Sequence, residues 1–123
     1  MFSSSMEAYQ FRMRVVSSAE IYHGCAIAST TSMTDDIKIV APQAADELLN
    51  ISGVDASFVL YEYDDGVSMS ARSMGKVNVQ VIMETLGGGG HLTMAATQIP
   101  DISMETARQR LLEAIEEYRA NNK

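Results

Sequence analysis

The sequence predicts a single compact α/β (α+β) domain, a mixed β-sheet of about five strands flanked by helices. Three observations predict it. Short apolar or alternating runs interleave with stretches whose apolar residues recur at helical spacing, the pattern of a sheet layered with helices. The chain has 123 residues, 46% of them hydrophobic, which is one domain's length and enough to bury roughly two-thirds of its unfolded surface. A single cysteine, Cys25, provides no internal disulfide framework, so packing must hold the fold.

The elements follow in order. Ser3 to Ser5 read either as a flexible lead-in or, through Ser4 with Glu7, as a capping box. Ala8, Phe11 and Val15, beside Tyr9, Met13 and Val16, then recur at helical spacing and predict a helix to about Ser17. AEIY and CAIAS flank His23-Gly24 and read as strand, turn and strand, with His23 exposed in the turn rather than holding a metal. Residues 34–50 are helical in pattern, with Ala41, Ala45, Leu48 and Leu49 on one side; Pro42 either restarts the helix or kinks it. Asp35 and Asp36 suit the positive end of that helix's dipole better than they suit a metal.

SFVLYEY, residues 57–63, is apolar on both faces and predicts a central strand. Asp64-Asp65-Gly66 after it is a hairpin signal, preferred over a carboxylate pair for chemistry. In the returning strand, 67–72, Val67, Met69 and Ala71 form one face and Ser68, Ser70 and Arg72 the other. That second face is either a solvated edge or the wall of an anion site, since a guanidinium matches phosphate oxygens in a bidentate fork. After Gly75-Lys76, Val77, Val79 and Val81 alternate like a strand, while Asn78, Ile82 and Leu86 keep helical spacing. The glycines that follow favour a helix from about Asn78, with Asn78 at its N-cap. Residues 95–99 predict a last strand, and Ser103 caps a final helix with Ala107, Leu111, Leu112, Ile115 and Tyr118 on one face.

Nine Lys and Arg against sixteen Asp and Glu give a net charge of −7. That argues against a surface gripping long nucleic acid, which needs a basic stripe to displace counterions. It leaves room for one small anionic ligand. No run approaches the ~20 apolar residues of a membrane span, and the N-terminus lacks the basic-then-apolar pattern of a secretory signal. A cytoplasmic domain without membrane contact is the expectation. The nine methionines are scattered and read as core filler.

Half of the eight glycines fall in one run, Gly87-Gly88-Gly89-Gly90, followed by His91. Such a run can take positive φ and turn backbone N–H groups into a nest for phosphate; the competing reading is a floppy connector. It lacks the Gly-Lys-Ser/Thr ending of a P-loop and the clear preceding strand of a dinucleotide fold.

The string RSMGKVNVQVIMETLGGGGH, residues 72–91, followed by AATQ at 95–98, closely resembles the C-terminal DHH-associated domain of DHH-superfamily phosphoesterases. Within them it is most similar to the GdpP/YybT type, the bacterial cyclic-di-AMP phosphodiesterases. The likeness continues more weakly through Ala44-Ala45-Asp46, Leu48-Leu49 and residues 56–59, covering most of 15–100.

The resemblance implies a substrate-binding half of an enzyme. A separate preceding DHH domain would hold two manganese ions and hydrolyse cyclic-di-AMP to linear pApA. This chain has no Asp-His-His triplet and only His23 and His91, so no cofactor is expected in it. On this view residues 1–18 are a helix leading from the absent DHH domain, and 19–123 are the DHH-associated domain. The chain then looks like an excised C-terminal fragment of a membrane-anchored parent. Arg72 would contact a phosphate or base, Gly88 to Gly90 would present backbone donors beside Gly87, and His91 would support charge on the cleaved phosphate. Asn78 would read a base edge, with Ser73 and Gln80 as weaker candidates. The expected partners are cyclic-di-AMP, pApA or similar short nucleotides and the parent's DHH domain. Three alternatives stand beside this one: a module of an oligoribonuclease or exonuclease of the same superfamily, a non-catalytic RNA-binding module, and a structural domain with a glycine linker.

Overall fold

The computed structural model describes residues 5–31 and 36–122. The order of elements is α1 (Met6–Ser17), β1 (Glu20–Tyr22), β2 (Cys25–Thr30), α2 (Ile37–Leu48), β3 (Ala56–Tyr63), β4 (Gly66–Ser73), α3 (Val79–Thr85), β5 (Gly89–Gly90), β6 (Met94–Ile99) and α4 (Met104–Asn121). The strands form one sheet in the order β1-β2-β3-β4-β6-β5. Only β2 and β3 are parallel, because α2 carries the chain back between them; the sheet is therefore mixed, in the predicted class. The sixth strand, β5, consists of Gly89 and Gly90 alone, and glycine has no side chain through which a strand could announce itself.

Period-two alternation divides the side chains between two cores. Phe58 and Leu60 of β3, Val67, Met69 and Ala71 of β4, and Ala95 and Ile99 of β6 pack with Val79, Ile82 and Met83 of α3 and with Leu111 and Ile115 of α4. On the opposite face Val59 and Tyr61 join Ala26 and Ala28 of β2 beneath Phe11 and Val15 of α1 and Val40, Ala44 and Leu48 of α2. Each fully buried Val, Leu, Ile, Phe or Met among them contributes about 1.5–3 kcal/mol. β3, apolar on both faces, is the central strand that the sequence predicts.

Several local expectations shift. Ser4 lies outside the described residues; the N-cap of α1 is Ser5, whose Oγ accepts from the Ala8 N–H at 3.0 Å. Thr34 and Asp35 also lie outside them, while Asp36 occupies the α2 N-cap position without a side-chain cap bond. α2 runs unbroken through Pro42. The β3–β4 turn is Asp64-Asp65, with Asp64 at φ 53, and Gly66 is already in β4 opposite Tyr63. Gly66 is required for another reason: a Cβ there would fall on the carbonyl oxygen of Ile99. β4 lies inside the sheet, and Ser68 and Ser70 are buried, so their face is no solvated edge.

α1 and α2 cover β2, β3 and part of β4. Beyond them the same face is open: in β6 Met94, Ala96 and Gln98 are exposed while Ala95, Thr97 and Ile99 are buried. The part of that sheet face over β6 and β5 thus carries no helix.

Candidate functional site

β4 delivers Arg72 to the boundary between the covered and open halves of that face. Arg72 stands opposite Ser57 of β3 on one side and Met94 of β6 on the other. Its side chain is only 13% exposed, and its guanidinium is oriented by two bonds. Nε–H donates to Oδ1 of Asp46 on α2 at 3.1 Å, and Nη1 donates to the Ala71 carbonyl at 2.9 Å.

Ser73 then closes the loop into α3. Its Oγ donates to the Val77 carbonyl at 2.6 Å and accepts from the Gly75 N–H at 2.9 Å, with Gly75 at φ 115. Both bonds point inward, so Ser73 shapes the loop rather than facing a ligand. Asn78 caps α3 as predicted: Oδ1 accepts from the Gln80 and Val81 N–H groups at 3.1 and 3.4 Å. Its Nδ2 makes no hydrogen bond among the described residues. Gln80 donates through Nε2 to Oε2 of Glu84 at 3.1 Å, one turn along the helix.

The first two amides of the glycine run are committed to the end of α3. Gly87 N–H bonds the Glu84 carbonyl at 3.1 Å and Gly88 N–H the Met83 carbonyl at 2.8 Å, with Gly87 at φ 88. This paired closure is a Schellman motif terminating α3, and it uses both amides. A Cβ on Gly88 would fall on the Ala96 carbonyl oxygen; one on Gly90, at φ 147, would crowd Met94 and Ala95. Gly89 does not have the positive φ that a nest would use, and a Cβ there would meet nothing within 4 Å. Three of the glycines serve the fold, and Gly89 is not required by it. It lies opposite Ala96, on the rim of the open face.

After Gly90, residues 91–93 form a loop stitched to both neighbours by backbone bonds. His91 N–H donates to the Met94 carbonyl at 2.7 Å, Val79 N–H to the Leu92 carbonyl at 3.1 Å, and Ser73 N–H to the Thr93 carbonyl at 3.0 Å. The end of β4, the start of α3 and His91 are therefore gathered at one end of the sheet. His91 is exposed, and its ring makes no hydrogen bond among the described residues. Gly87, at the far end of α3, is not part of this gathering.

Sequence reasoning missed three features here. Asp46 and Tyr118 are long-range partners of Arg72 and Asn78, and such pairs leave no local periodicity. Met74 (69% exposed), Leu92 and Met94 (53% exposed) form an apolar fringe beside Arg72. Met94 did carry a signal, as a large apolar side chain in the exposed phase of β6. Surface concavities lie elsewhere, among them one of about 780 Å³ beside Lys76, Glu116 and Arg119 and one of about 330 Å³ beside Asp64, Asp65 and Asp101. Neither is lined by Arg72, Asn78 or His91. Among the described residues no group of three or more His, Cys, Asp or Glu could hold a metal ion, and no helix is long and apolar enough to cross a membrane.

A mixed sheet with this glycine-rich edge and a following histidine defines a known class: residues 27–121 match the family model of the DHHA1 domain, and the chain belongs to that family. It is of the GdpP type. It is 50% identical over 109 residues, 87% of this chain, to "Cyclic-di-AMP phosphodiesterase PdeA" of Listeria monocytogenes serotype 1/2a (strain 10403S). It is 49% identical over 116 residues, 93% of this chain, to "Cyclic-di-AMP phosphodiesterase GdpP" of Geobacillus thermodenitrificans (strain NG80-2). The chain spans only 17% and 18% of the length of these two relatives. An exopolyphosphatase-related protein from Bacteroides fragilis has the same fold, with a TM-score of 0.82 at 24% identity, over 96% of this chain and 36% of that one.

Proposed function

We propose that this domain holds the nucleotide in a cyclic-di-AMP phosphodiesterase, its open sheet face forming one wall of the substrate cleft. The observation that supports the reading is the backbone stitching of residues 91–93, which ties the loop after His91 to the end of β4 beyond Arg72 and to the start of α3 beyond Asn78, at the end of the sheet where β6 leaves one face uncovered. An open wall rather than a closed pocket suits a site completed by another part of a larger protein, such as a DHH domain.

The chemistry then divides among the side chains. Arg72 supplies a fixed positive fork for a phosphate, a charge-assisted contact of about 1.5–3 kcal/mol. The Nδ2 amide of Asn78, with its Oδ1 committed to the helix cap, donates to a base edge. His91 stabilises charge developing on the phosphate. Gly89 keeps the rim low so that the nucleotide can approach the sheet, and Ser73 and Gln80 hold the loop and the first turn of α3. Residues that could hold manganese are not grouped in the described part of this chain; any metal-activated water would come from the DHH part, and no step here runs through it. The parent is proposed to be membrane-anchored, with this domain in the cytoplasm.

Amide shift mapping with pApA and cyclic-di-AMP tests the reading. Perturbations should centre on Arg72, Asn78, Gly89 and His91. Shifts confined to the α1–α2 surface, or none at millimolar ligand, would overturn it.

A further inference from the structure

The carboxylate of Asp46 sits where local rules disfavour it. It lies in the last turn of α2, where the helix dipole is negative and basic residues are preferred, and that turn contains no basic residue. A departure of this kind points to a compensating contact, and the contact is Arg72. Nε–H of Arg72 reaches Oδ1 of Asp46 at 3.1 Å, joining a largely buried side chain to one that is 66% exposed.

We infer that Asp46 is a positioning residue for Arg72, and that it dictates how Arg72 meets a phosphate. The inference rests on the reading of Arg72 as the phosphate contact. A guanidinium has five N–H donors and two bidentate edges, the side edge Nε/Nη2 and the end edge Nη1/Nη2. Asp46 occupies Nε, and the Ala71 carbonyl takes one proton of Nη1. The side edge is therefore blocked to a bidentate partner, while one Nη1 proton and both Nη2 protons stay uncommitted, leaving the end edge as the fork. A phosphate must approach Arg72 end-on. Asp46 and the phosphate use different donors, so they do not compete; the carboxylate fixes the plane of the fork in advance, which lowers the cost of ordering it on binding. The clamp also ties α2 to the site, because Ala45, one residue earlier, accepts through its carbonyl from Ser57 Oγ at 2.6 Å, and Ser57 is the cross-strand neighbour of Arg72.

The test is calorimetric titration of pApA into this chain and into Asp46→Ala, Asp46→Asn, Arg72→Ala and the double variant Asp46→Ala/Arg72→Ala, with circular dichroism and thermal unfolding on each. Asp46→Ala should weaken binding roughly two- to fivefold, the range of a partly exposed ion pair. Asp46→Asn, which keeps an acceptor oxygen, should fall between it and the parent chain. In the Arg72→Ala background, Asp46→Ala should change affinity no further. A purely structural clasp would lower the melting temperature without this ordering. In nitrogen-15 spectra of the unsubstituted protein, pApA should shift the Arg72 Nη resonances and leave Nε–H in place, a reading that survives even if Asp46→Ala fails to fold. Unchanged or tighter binding by folded Asp46 variants, with Arg72→Ala weakened, would overturn the role of Asp46 alone, as would a ligand-induced shift of Nε–H. No binding by the parent chain, or full affinity in Arg72→Ala, would instead remove the phosphate reading beneath it.

Discussion

The backbone N–H of Asn78 donates to the phenol oxygen of Tyr118 at 2.9 Å. The same Asn78 caps α3 with its side chain, so α4 holds the N-cap of the shortest described helix in place. Tyr118→Phe would leave that N–H without its acceptor while keeping the ring. The expected cost is about 1 kcal/mol in urea unfolding, with faster exchange of the Asn78 amide and weaker pApA binding. Unchanged amide exchange would show that the contact positions nothing.

The glycines can be separated by substitution. Gly88→Ala puts a Cβ onto the Ala96 carbonyl and should destabilise by at least ~1–3 kcal/mol. Gly89→Ala meets open space and should stay within ~0.5 kcal/mol of the parent. Gly89→Val should also fold, yet weaken pApA binding by crowding the rim. Thermal unfolding with titration distinguishes the two effects, and tight binding by folded Gly89→Val would take Gly89 out of the site.

Arg72→Ala should weaken pApA binding about ten- to hundredfold, from a charge-assisted contact of about 1.5–3 kcal/mol. Arg72→Lys should recover only part of this, because an ammonium has neither the Nε–H that meets Asp46 nor a planar fork. Equal affinities for Lys and Arg would mean that charge alone matters there.

Much of the fold was legible because it rests on local signals. The His23-Gly24 turn, the Ser103 cap and the alternation of β4 each follow from residues within a few positions of one another. β5 was not legible, since two glycines carry no pattern, and the strand exists only because β6 lies beside it. The candidate site residues could be named from the sequence, but the contacts they make could not. Gly87 and Gly88 looked like phosphate donors because glycine permits a nest; the amides instead close α3, a demand set by where that helix must stop. Asp46 and Tyr118 could not be found, for they act on Arg72 and Asn78 from 26 and 40 residues away.

The isolated chain, offered cyclic-di-AMP and manganese, should release no pApA. Chromatography of the reaction checks this, and metal-dependent turnover by pure protein would contradict the assignment of catalysis to another domain.

Burial pushes the Cys25 thiol up to about 11, with the nearby Asp55 carboxylate adding to it. The folded value lies above the ordinary 9.0, so the protonated thiol's contribution to stability is complete below pH 9 and is lost as pH rises towards 11. Stability should fall across that window, and Cys25→Ala should fall less steeply. Parallel slopes in urea melts at pH 8 to 11 would contradict the linkage.

The rims of the sheet bear on self-association. β1 has three residues, and β5 has two, both glycine. An edge strand is a template for a neighbouring copy in proportion to the length of ladder it leaves unpaired. Here one rim is too short to recruit a strand firmly. At the other, the turn through Gly88 lies against the backbone of Ala96 and Thr97. The glycine run at this rim gives a second chain almost nothing to zip onto, so one face can stay open without the edge becoming a seed for aggregation.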